Sequence, residues 1–540
     1  MSNSSNPPNT DHRGEDLPTL SKSAKNMRMD KLLSTPIPSF EGDTPGSFFW
    51  SHVAFWIARR ILAVQFRTSE VTGVDTLPLE RGNLCCAWHT NGLIDPLQIV
   101  LKHPNNFLMC GRHDLVTRPL LGWWTRKLAV QPVVRKAELL RGGCTEEEAI
   151  HLNGRSLMML ATGISAGFGC VLFPEGTSHN ESSLLRFRTG PFRTVFAAAA
   201  IAKANDQPIP AVIPLGLHFR RRDHFRTDVW VEYDAPHYIQ EDEIPNELVQ
   251  AVAKGNWVEP AAENVFALRD ALRIKMGPLT PNTRDWDEYH ALHLLGHVEA
   301  RRASQPLLSW RKEVEAARVF RTLLQPKLPD EKIVENSELP EITHPVFMPA
   351  KAVAGLLQNN HLDGRDLNNS GTDLRRFNPV RGLTKLIRLP LLVAMLPLFL
   401  FCFLPQLAVG RLLGDSTDEG VDARTSYHFL AAMFGSLMFW PFMALGIMGI
   451  ESMYHSSVES ILGFDWYLLF GTTSLHQILA MVVFYLSLFP CFWFSGRTSA
   501  LFWDDWCDFK QTIRRLRFNA TNRQNLRGAL KILNEEMDKL

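Results

Sequence analysis

Three long uncharged segments near the C-terminus constrain this chain of 540 residues more than any other feature. Residues 389–410, 426–450 and 466–496 contain 22, 25 and 31 residues without Asp, Glu, Lys or Arg. A helix of about 20 apolar residues spans the ~30 Å hydrocarbon core of a bilayer. Residues 381–500 are therefore predicted to form an α-helical transmembrane region that follows a more polar part of the chain.

Basic residues flank this region on both sides. They are Arg381, Lys385 and Arg388 before it, and Arg497, Lys510, Arg514, Arg515 and Arg517 after the last segment. The positive-inside rule then puts both ends in the cytosol, which three full crossings do not allow. We expect one segment to be re-entrant, and the long last one is favoured because Gly471 and two threonines lie near its start. The alternative is that the rule fails here.

The two ends of the chain differ from its middle. Residues 1–46 are rich in Ser, Asn and Pro and are predicted to form a disordered arm. Residues 47–66 are apolar and aromatic, but Arg59 and Arg60 make the uncharged stretch too short to span a bilayer. They predict an amphipathic helix that either lies in the membrane interface or closes the next domain. Residues 501–540 are predicted to form a surface helix.

Residues 67–290 alternate short apolar runs with helical patterns. The runs predict strands at residues 84–88, 107–110, 169–173, 209–219 and 229–233, and the helical patterns cover residues 146–164 and 192–204. Strands separated by helices of this length predict an α/β domain with a largely parallel or mixed sheet. Residues 291–380 are charged and punctuated by proline, and we expect a helical linker region there.

Composition narrows the class of function. The chain has 57 Lys and Arg against 56 Asp and Glu, which argues against a protein whose main task is coating nucleic acid. Its eight cysteines show no paired CxxC motifs, so the sequence predicts reduced thiols and no zinc site.

A histidine at a predicted strand end, His89, is followed six residues later by Asp95. Six residues of one regular helix turn through about 600°, which would leave the two side chains on different faces. A strand, a turn at Gly92 and a helix with Asp95 near its N-cap and Pro96 at its first position would bring them together. Asp95 would then hold one imidazole nitrogen and leave the other to take a proton from an alcohol. The alternative is a capping aspartate beside an incidental histidine.

A second predicted strand, at residues 169–173, ends at the sheet edge where open α/β sheets bind ligands. It is followed by a carboxylate, a glycine and a hydroxyl: Glu175, Gly176 and Thr177. Residues 102–141 and 186–226 each carry eight Lys or Arg against two acids. Two such concentrations in a nearly neutral chain suggest a phosphorylated ligand, although a solvated basic face against anionic lipid is the alternative for Arg220, Arg221 and Arg222.

These motifs, in this order, resemble the four blocks of the glycerophospholipid acyltransferase superfamily. The pair His89 and Asp95 matches the first block, with five intervening residues in place of the usual four. That form is similar to a variant in the fungal-type glycerol-3-phosphate/dihydroxyacetone-phosphate acyltransferases and in related bacterial proteins. The second block, K-x2-L-x6-G-x12-R, is matched with arginine for lysine by Arg112, Leu115, Gly122 and Arg135.

The remaining blocks complete the resemblance, which spans about 130 residues. The sequence FPEGT at residues 173–177 matches the third block, but Ser178 stands where many members have arginine. The fourth block, a strand with a central proline, is matched around Pro214. The fungal-type enzymes also carry hydrophobic segments after the acyltransferase domain.

The resemblance implies an O-acyltransferase that moves a fatty acyl group from acyl-CoA to the hydroxyl of glycerol 3-phosphate, with dihydroxyacetone phosphate as a second acceptor. His89 would be the general base and Asp95 its orienting partner. Substrate binding would fall to Arg112, Arg135, Glu175, Gly176, Thr177 and one of Arg186 or Arg188. Neither a metal nor another cofactor is implied; the expected partners are acyl-CoA, a glycerol-phosphate acceptor and the bilayer.

Two alternatives stay open. Within the family, the acceptor is lysophosphatidate instead. In another class, the chain is a non-catalytic membrane lipid-binding or transport protein; only His428 and His476 are ionisable within the three apolar segments, which is thin support for transport. For an enzyme, we expect an integral membrane protein with its catalytic domain on the cytosolic side, in the endoplasmic reticulum of a eukaryote or the inner membrane of a bacterium.

Overall fold

The computed structural model describes residues 27–140, 143–376, 388–416 and 421–540. The rest of the expected N-terminal arm, residues 1–26, and the basic residues Arg381 and Lys385 lie outside the described residues.

A mixed sheet forms the centre of the N-terminal half. The strands are β1 Phe66–Thr72, β2 Asn83–Ala87, β3 Phe107–Leu108, β4 Cys110–Arg112, β5 Gln131–Val133, β6 Gly169–Leu172, β7 Ala211–Phe219, β8 Thr227–Tyr233 and β9 His237–Tyr238. The main sheet has the order β1-β8-β7-β2-β6-β3, with β9 paired to β7, while β4 and β5 form a small parallel sheet. Strand β2 is parallel to β6 and β7, and β7 is antiparallel to β8. The expected mixed α/β sheet is therefore confirmed.

The helices of this half cover the sheet and its edges. They are α1 Met29–Leu33, α2 Phe48–Gln65, α3 Ile94–Val100, α4 His113–Thr117, α5 Pro119–Lys127, α6 Lys136–Leu140, α7 Glu146–Ser165, α8 Gly190–Ala204, α9 Asn246–Ala253 and α10 Ala262–Met276. Helix α7 begins in a capping box, in which Thr145 Oγ1 accepts from the Glu148 N–H at 3.2 Å and Glu148 Oε2 accepts from the Thr145 N–H at 2.9 Å. All five residues of β2 are buried, as in a parallel strand that is covered on both faces.

Part of the expected disordered arm is packed against this domain. Leu32 of α1 is fully buried in a cluster with Val134 and Leu152. The centres of the Phe40 and Phe168 rings are 5.9 Å apart. The expectation of disorder is therefore wrong for residues 27–46, because two isolated apolar side chains anchor a segment whose average composition is polar.

The region expected to be a helical linker forms a packed core of its own. Its helices are α11 Trp286–Arg302, α12 Trp310–Leu324, α13 Asp330–Val334 and α14 Phe347–Asn359. The C-terminal helix, α19 Ala520–Met537, completes this core. Leu526, Leu530 and Leu533 are fully buried, and their spacing of four and three residues places them on one helix face. The predicted C-terminal surface helix is thus amphipathic, with one face buried among the linker helices.

Three helices are long and apolar enough to cross a membrane by length and composition. They lie in α15 Leu389–Asp415, α16 Val421–Met453 and α18 Ser474–Arg517, with the short α17 His455–Leu462 after α16. Helix α18 runs without interruption for 44 residues and is capped by Thr473, whose side chain accepts from the His476 N–H. The expectation that the last apolar segment folds back on itself is therefore wrong; Gly471 lies in the connection before the helix.

Helix α15 begins and ends beside the other two long helices. At its start, Arg388 Nη1 lies 3.4 Å from Asp505 Oδ2 of α18. At its end, a Cβ on Gly414 would lie 3.3 Å from the Arg424 carbonyl oxygen of α16. Pro397 and Pro405 lie inside α15. Thr425 of α16, next to Arg424, and Asp504 of α18, next to Asp505, both bond to the α/β domain. Both ends of α15 therefore lie near that domain.

Helix α2 has two different faces. Ala54, Ala58 and Leu62 are buried in a cluster that also contains Phe429 of α16. On the other face, Trp56 is 59% exposed. The helix therefore closes the α/β domain against α16 with one face and exposes aromatic side chains on the other. A position in the membrane interface stays a prediction.

Candidate active site

A strand, a turn and a helix bring His89 and Asp95 together. His89 follows β2, Gly92 adopts φ +40° in the turn, and Asp95 lies in the first turn of α3. The His89 Nδ1 atom is 2.9 Å from Asp95 Oδ2. The helix begins at Ile94, so Pro96 is its third residue and not its first as expected, yet the two side chains still meet.

Asp95 is held from several directions. Its Oδ2 atom also accepts hydrogen bonds from the Thr90 N–H at 2.7 Å and the Asn91 N–H at 2.8 Å, and its side chain is fully buried. Donation of the Nδ1 proton to this carboxylate leaves Nε2 of a neutral His89 with the lone pair of a base. Among the described residues, no group hydrogen-bonds Nε2, and the ring stacks on Phe173 with centroids 3.9 Å apart.

Glu175 ties the turn between β2 and α3, residues 88–93, to the neighbouring loops. We call it the catalytic turn because it carries His89, the candidate base. Its Oε2 atom accepts from the His89 N–H at 2.9 Å, and Oε1 accepts from the Leu185 N–H at 2.8 Å. His179 Nε2 lies 3.0 Å from the same Oε1. Since both carboxylate oxygens are engaged and the residue is buried, Glu175 supports the His89 backbone and does not face the site as the sequence suggested.

The loop after Glu175 requires glycine at one position. Gly176 has φ +74°, and a Cβ there would lie 3.2 Å from Cγ of Arg188. The Arg188 N–H donates to the Pro174 carbonyl at 2.6 Å. Thr177 follows Gly176 in the chain, Arg186 is two residues before Arg188, and the Arg186 side chain is exposed. The structure thus brings the Gly176 loop and the two arginines to one place.

Arg112 and Arg135 meet elsewhere, around a buried histidine. Arg112 Nε donates to Asp114 Oδ1 at 2.5 Å, and Arg135 Nε donates to Glu138 Oε1 at 2.6 Å. Burial lowers the pKa of His113, while the two carboxylates and the two guanidinium groups act on it in opposite directions. The two arginines are therefore already in ion pairs, and a phosphate there would compete with carboxylates.

Sequence reasoning missed two arginines that organise these loops. Arg273, on α10, donates to the carbonyls of Leu185 at 2.5 Å and Leu184 at 3.2 Å. Arg222 donates to the carbonyls of Thr90 at 2.5 Å and His179 at 2.7 Å. Both act on backbone carbonyls far away in sequence, so no local motif marks them.

The alternative of a solvated basic face does not describe Arg220 or Arg222. Arg220 donates to Glu313 through both terminal nitrogens at 2.6 Å, and its Nε donates to Asp228 at 2.7 Å. The guanidinium also lies 4.5 Å from the centre of the Trp310 ring. These arginines bind protein groups and not the membrane surface.

The catalytic turn is bonded directly to a membrane helix. The Leu93 N–H donates to Ser426 Oγ of α16 at 2.9 Å. On the other side of the domain, Arg226 Nη2 lies 2.5 Å from Asp504 Oδ2 of α18, and the Arg226 side chain is buried. The sequence carried no signal for these contacts, because each joins residues more than 270 positions apart.

Part of this chain is similar in sequence to known acyltransferases. Residues 68–215 match the family model described as Acyltransferase. Over 140 residues, 26% of this chain, the sequence is 31% identical to Glycerol-3-phosphate O-acyltransferase 2 of Saccharomyces cerevisiae (strain ATCC 204508 / S288c), and the match spans 16% of the length of that protein. The crystal structure of the 1-acyl-sn-glycerophosphate (LPA) acyltransferase PlsC from Thermotoga maritima is similar with a TM-score of 0.26 and 17% identity, over 38% of this chain and 79% of that one.

The residues that match the Acyltransferase family model include His89 and Asp95, which meet at the end of a strand. More specifically, this part of the chain resembles the glycerophospholipid acyltransferases.

Proposed function

We propose that this protein transfers a fatty acyl group from acyl-CoA to the hydroxyl of glycerol 3-phosphate. The observation that carries the proposal is the 2.9 Å contact of His89 Nδ1 with Asp95, which leaves Nε2 available to a substrate hydroxyl. The choice of acceptor is supported by the name of the yeast relative and by the five-residue spacing of the first motif.

The chemistry follows from a base beside an activated ester. His89 Nε2 takes the proton of the acceptor hydroxyl while the oxygen attacks the thioester carbonyl carbon. The resulting tetrahedral intermediate collapses, the C–S bond breaks, and the imidazolium returns the proton to the thiolate to give free coenzyme A. Asp95 keeps the imidazole in the productive tautomer and stabilises the imidazolium. Because the thioester is already activated, the step needs no covalent acyl-enzyme.

The acceptor phosphate needs cations close to this base. Arg188 lies beside Gly176, and Arg186 is two residues before Arg188, in a segment that Glu175 links to the His89 backbone. Arg112 and Arg135 would contribute after exchanging a carboxylate for the phosphate. Arginine suits this role because its fixed fork of N–H groups matches phosphate oxygens.

The bilayer is the natural location for this reaction, because the acyl chain and the product partition into it. The catalytic turn rests on α16, and α2 exposes aromatic residues beside the same helix. We place the acyltransferase domain on the cytosolic side because basic residues follow the last apolar segment. In a eukaryote this membrane is the endoplasmic reticulum, and in a bacterium it is the inner membrane.

The test is an acyl-transfer assay of the purified full-length protein in detergent. Labelled acyl-CoA is supplied with glycerol 3-phosphate, dihydroxyacetone phosphate or lysophosphatidate in parallel, and we expect the highest kcat/KM with glycerol 3-phosphate. The His89→Ala variant should form no product, whereas His151→Ala, at an exposed position of α7, should retain activity. A preference for lysophosphatidate would change the acceptor, and the absence of product with all three would overturn the proposal.

A further inference from the structure

A cavity of about 800 Å³ lies behind the loop that follows the Gly176 turn. Leu184 and Leu185 form one wall, and α10, α12, α13 and the segments between them form the rest. Its size is in the range of small-molecule and cofactor sites. Most of its walls come from residues 273–339, outside the residues that match the acyltransferase family model.

The charges that line this cavity are unbalanced. The basic residues are Arg273, Arg284, Arg318, Arg321 and Lys327, and the acidic residues are Glu181 and Glu338. Arg318 is neutralised by two hydrogen bonds to Glu232, at 2.8 and 2.6 Å. The other four cations share the lining with two carboxylates, and one of the four, Arg284, also pairs with Glu341 and Glu288 outside the lining. The remaining excess of positive charge favours an anionic ligand.

Two of the cations are buried without an ion-pair partner. Arg321 donates to the carbonyls of Pro281 at 2.7 Å and Pro278 at 2.9 Å, and Arg273 donates to that of Ile333 at 2.7 Å. Within the described part of the chain, no carboxylate oxygen lies within 4.0 Å of either guanidinium group. Burial lowers the pKa of Arg321 to about 10 and also lowers the pKa of Arg273. An anion in the cavity would offset the cost of burying these charges.

The other two cations have donors available for a ligand. Lys327 is exposed, and Arg284 is 41% exposed with its nearest carboxylate oxygens at 3.5 Å, on Glu341, and 3.8 Å, on Glu288. Apolar side chains share the same walls: Leu184, Leu185, Ile274, Leu328, Ile333 and Leu339. The lining therefore suits a ligand that combines several phosphates with a flat apolar group.

The cavity adjoins the catalytic base through a single carboxylate. The Leu185 N–H in its wall donates to Glu175 Oε1, and the His89 N–H donates to Oε2 of the same residue. A ligand with phosphates in the cavity would need a long flexible arm to bring its reacting group to His89. Glycerol 3-phosphate is too small to occupy this volume or to need this many cations.

We propose that the cavity binds the phosphorylated adenine nucleotide end of the acyl donor, the 3′-phosphoadenosine diphosphate group of acyl-CoA. This inference rests on the proposed function for the identity of the donor. It assigns residues 273–339, which lie outside the matched acyltransferase residues, a role in donor binding.

Coenzyme A binding to the full-length protein in detergent, followed by isothermal titration calorimetry, tests the assignment. Lys327→Glu should raise the dissociation constant by about tenfold or more, the effect of losing one charge-assisted contact. Arg284→Glu should act in the same direction. Lys312→Glu, at an exposed position of α12 that does not line the cavity, should leave it unchanged. Adenosine 3′,5′-bisphosphate should compete with coenzyme A in the wild type, and thermal unfolding shows whether each variant is folded.

Steady-state kinetics separates the two substrates. Lys327→Glu should raise the KM for acyl-CoA and leave the KM for glycerol 3-phosphate unchanged. A rise in the acceptor KM alone, unchanged coenzyme A affinity in both cavity variants, or no competition by the bisphosphate would each overturn the assignment. If acyl transfer fails with every acceptor but Lys327→Glu still weakens coenzyme A binding, the proposed function falls and the nucleotide site stands.

Discussion

Thr425 Oγ1 of the membrane helix α16 donates a hydrogen bond to Asn91 Oδ1 in the catalytic turn. Both side chains are at least 98% buried, and the Asn91 amide nitrogen donates to the Arg222 carbonyl at 3.2 Å. The turn that carries His89 is thus held between the α/β domain and the start of a membrane helix.

Replacement of Thr425 by valine should lower kcat by about 10- to 100-fold, because a small displacement of the base is costly. The KM for acyl-CoA should change little, because Thr425 holds the turn and does not line the proposed donor cavity. Removal of the hydroxyl also leaves Asn91 Oδ1 buried without this donor, at a cost of about 1–3 kcal/mol in stability. Ser436→Ala is the control, because Ser436 donates only within α16, to Ala432. An unchanged kcat in Thr425→Val would show that the membrane helix does not position the base.

Asp95→Asn should reduce kcat by about 10²- to 10⁴-fold, the usual contribution of an oriented general base. The amide keeps the shape of the carboxylate but does not stabilise the imidazolium, and its NH₂ group favours the wrong tautomer of His89. Asp75→Asn, at an exposed position outside the site, should behave as the wild type in the same assay. Activity close to wild type in Asp95→Asn would rule out the proposed role of this pair.

The ion pair of Arg226 with Asp504 should be important for holding the domain on α18. Asp504→Ala leaves the buried guanidinium without its carboxylate, and we expect a loss of about 3–5 kcal/mol in the free energy of unfolding. The double variant Arg226→Met with Asp504→Leu should be less destabilised than Asp504→Ala, which thermal unfolding in detergent would show. For comparison, removal of the exposed pair of Arg67 with Asp508 should cost less than about 1 kcal/mol. Equal stability losses from the two pairs would contradict this difference.

Glu313 should make stability depend on pH. Burial alone would raise the pKa of Glu313, but hydrogen bonds from His297 and Arg220 outweigh it and lower the pKa to about 2. A depressed pKa in the folded state gives stability that is present above the unfolded-state value of about 4.3 and is lost as the pH falls toward 2. Glu313→Gln should therefore lower the Tm at pH 7, with a smaller difference from the wild type near pH 3. The exposed Glu315→Gln should show no such convergence, and a constant difference for Glu313→Gln across the range would refute the linkage.

The contacts of α15 predict its membrane topology. Arg388 contacts α18, and Gly414 contacts α16, next to the residues by which those two helices bond to the acyltransferase domain. Both ends of α15 should therefore lie on the side of the membrane that carries this domain. Cysteines introduced as Leu389→Cys and Ser416→Cys should react with an impermeant maleimide from that side of sealed vesicles. Ile461→Cys, in α17 beyond the far end of α16, should react only from the opposite side. If Ser416→Cys and Ile461→Cys label from the same side, α15 crosses the membrane completely.

Local patterns in the sequence were sufficient for much of the architecture. The length of residues 426–450 without a charge predicted a membrane helix, because the hydrocarbon core imposes a minimum number of apolar residues. Strand β2 was predicted from a continuous apolar run, whereas the edge strand β1, with its exposed polar residues, gave no such signal. The spacing of His89 and Asp95 predicted that a strand, a turn and a helix would bring the two side chains together, and in the structure they lie 2.9 Å apart.

Only the tertiary structure decided which groups hold that site in place. Arg273, Arg222 and Thr425 support the catalytic loops from positions that no local period or spacing connects to them. It also decided that Glu175 faces inward and that the linker helices enclose a basic cavity. The physical reason is that periodicity reports which face of an element is buried, whereas a hydrogen bond between residues 334 positions apart depends on how whole elements pack. The sequence therefore determined the long apolar helices and the residues of the proposed catalytic pair, and the packing of the helices determined how that pair is positioned.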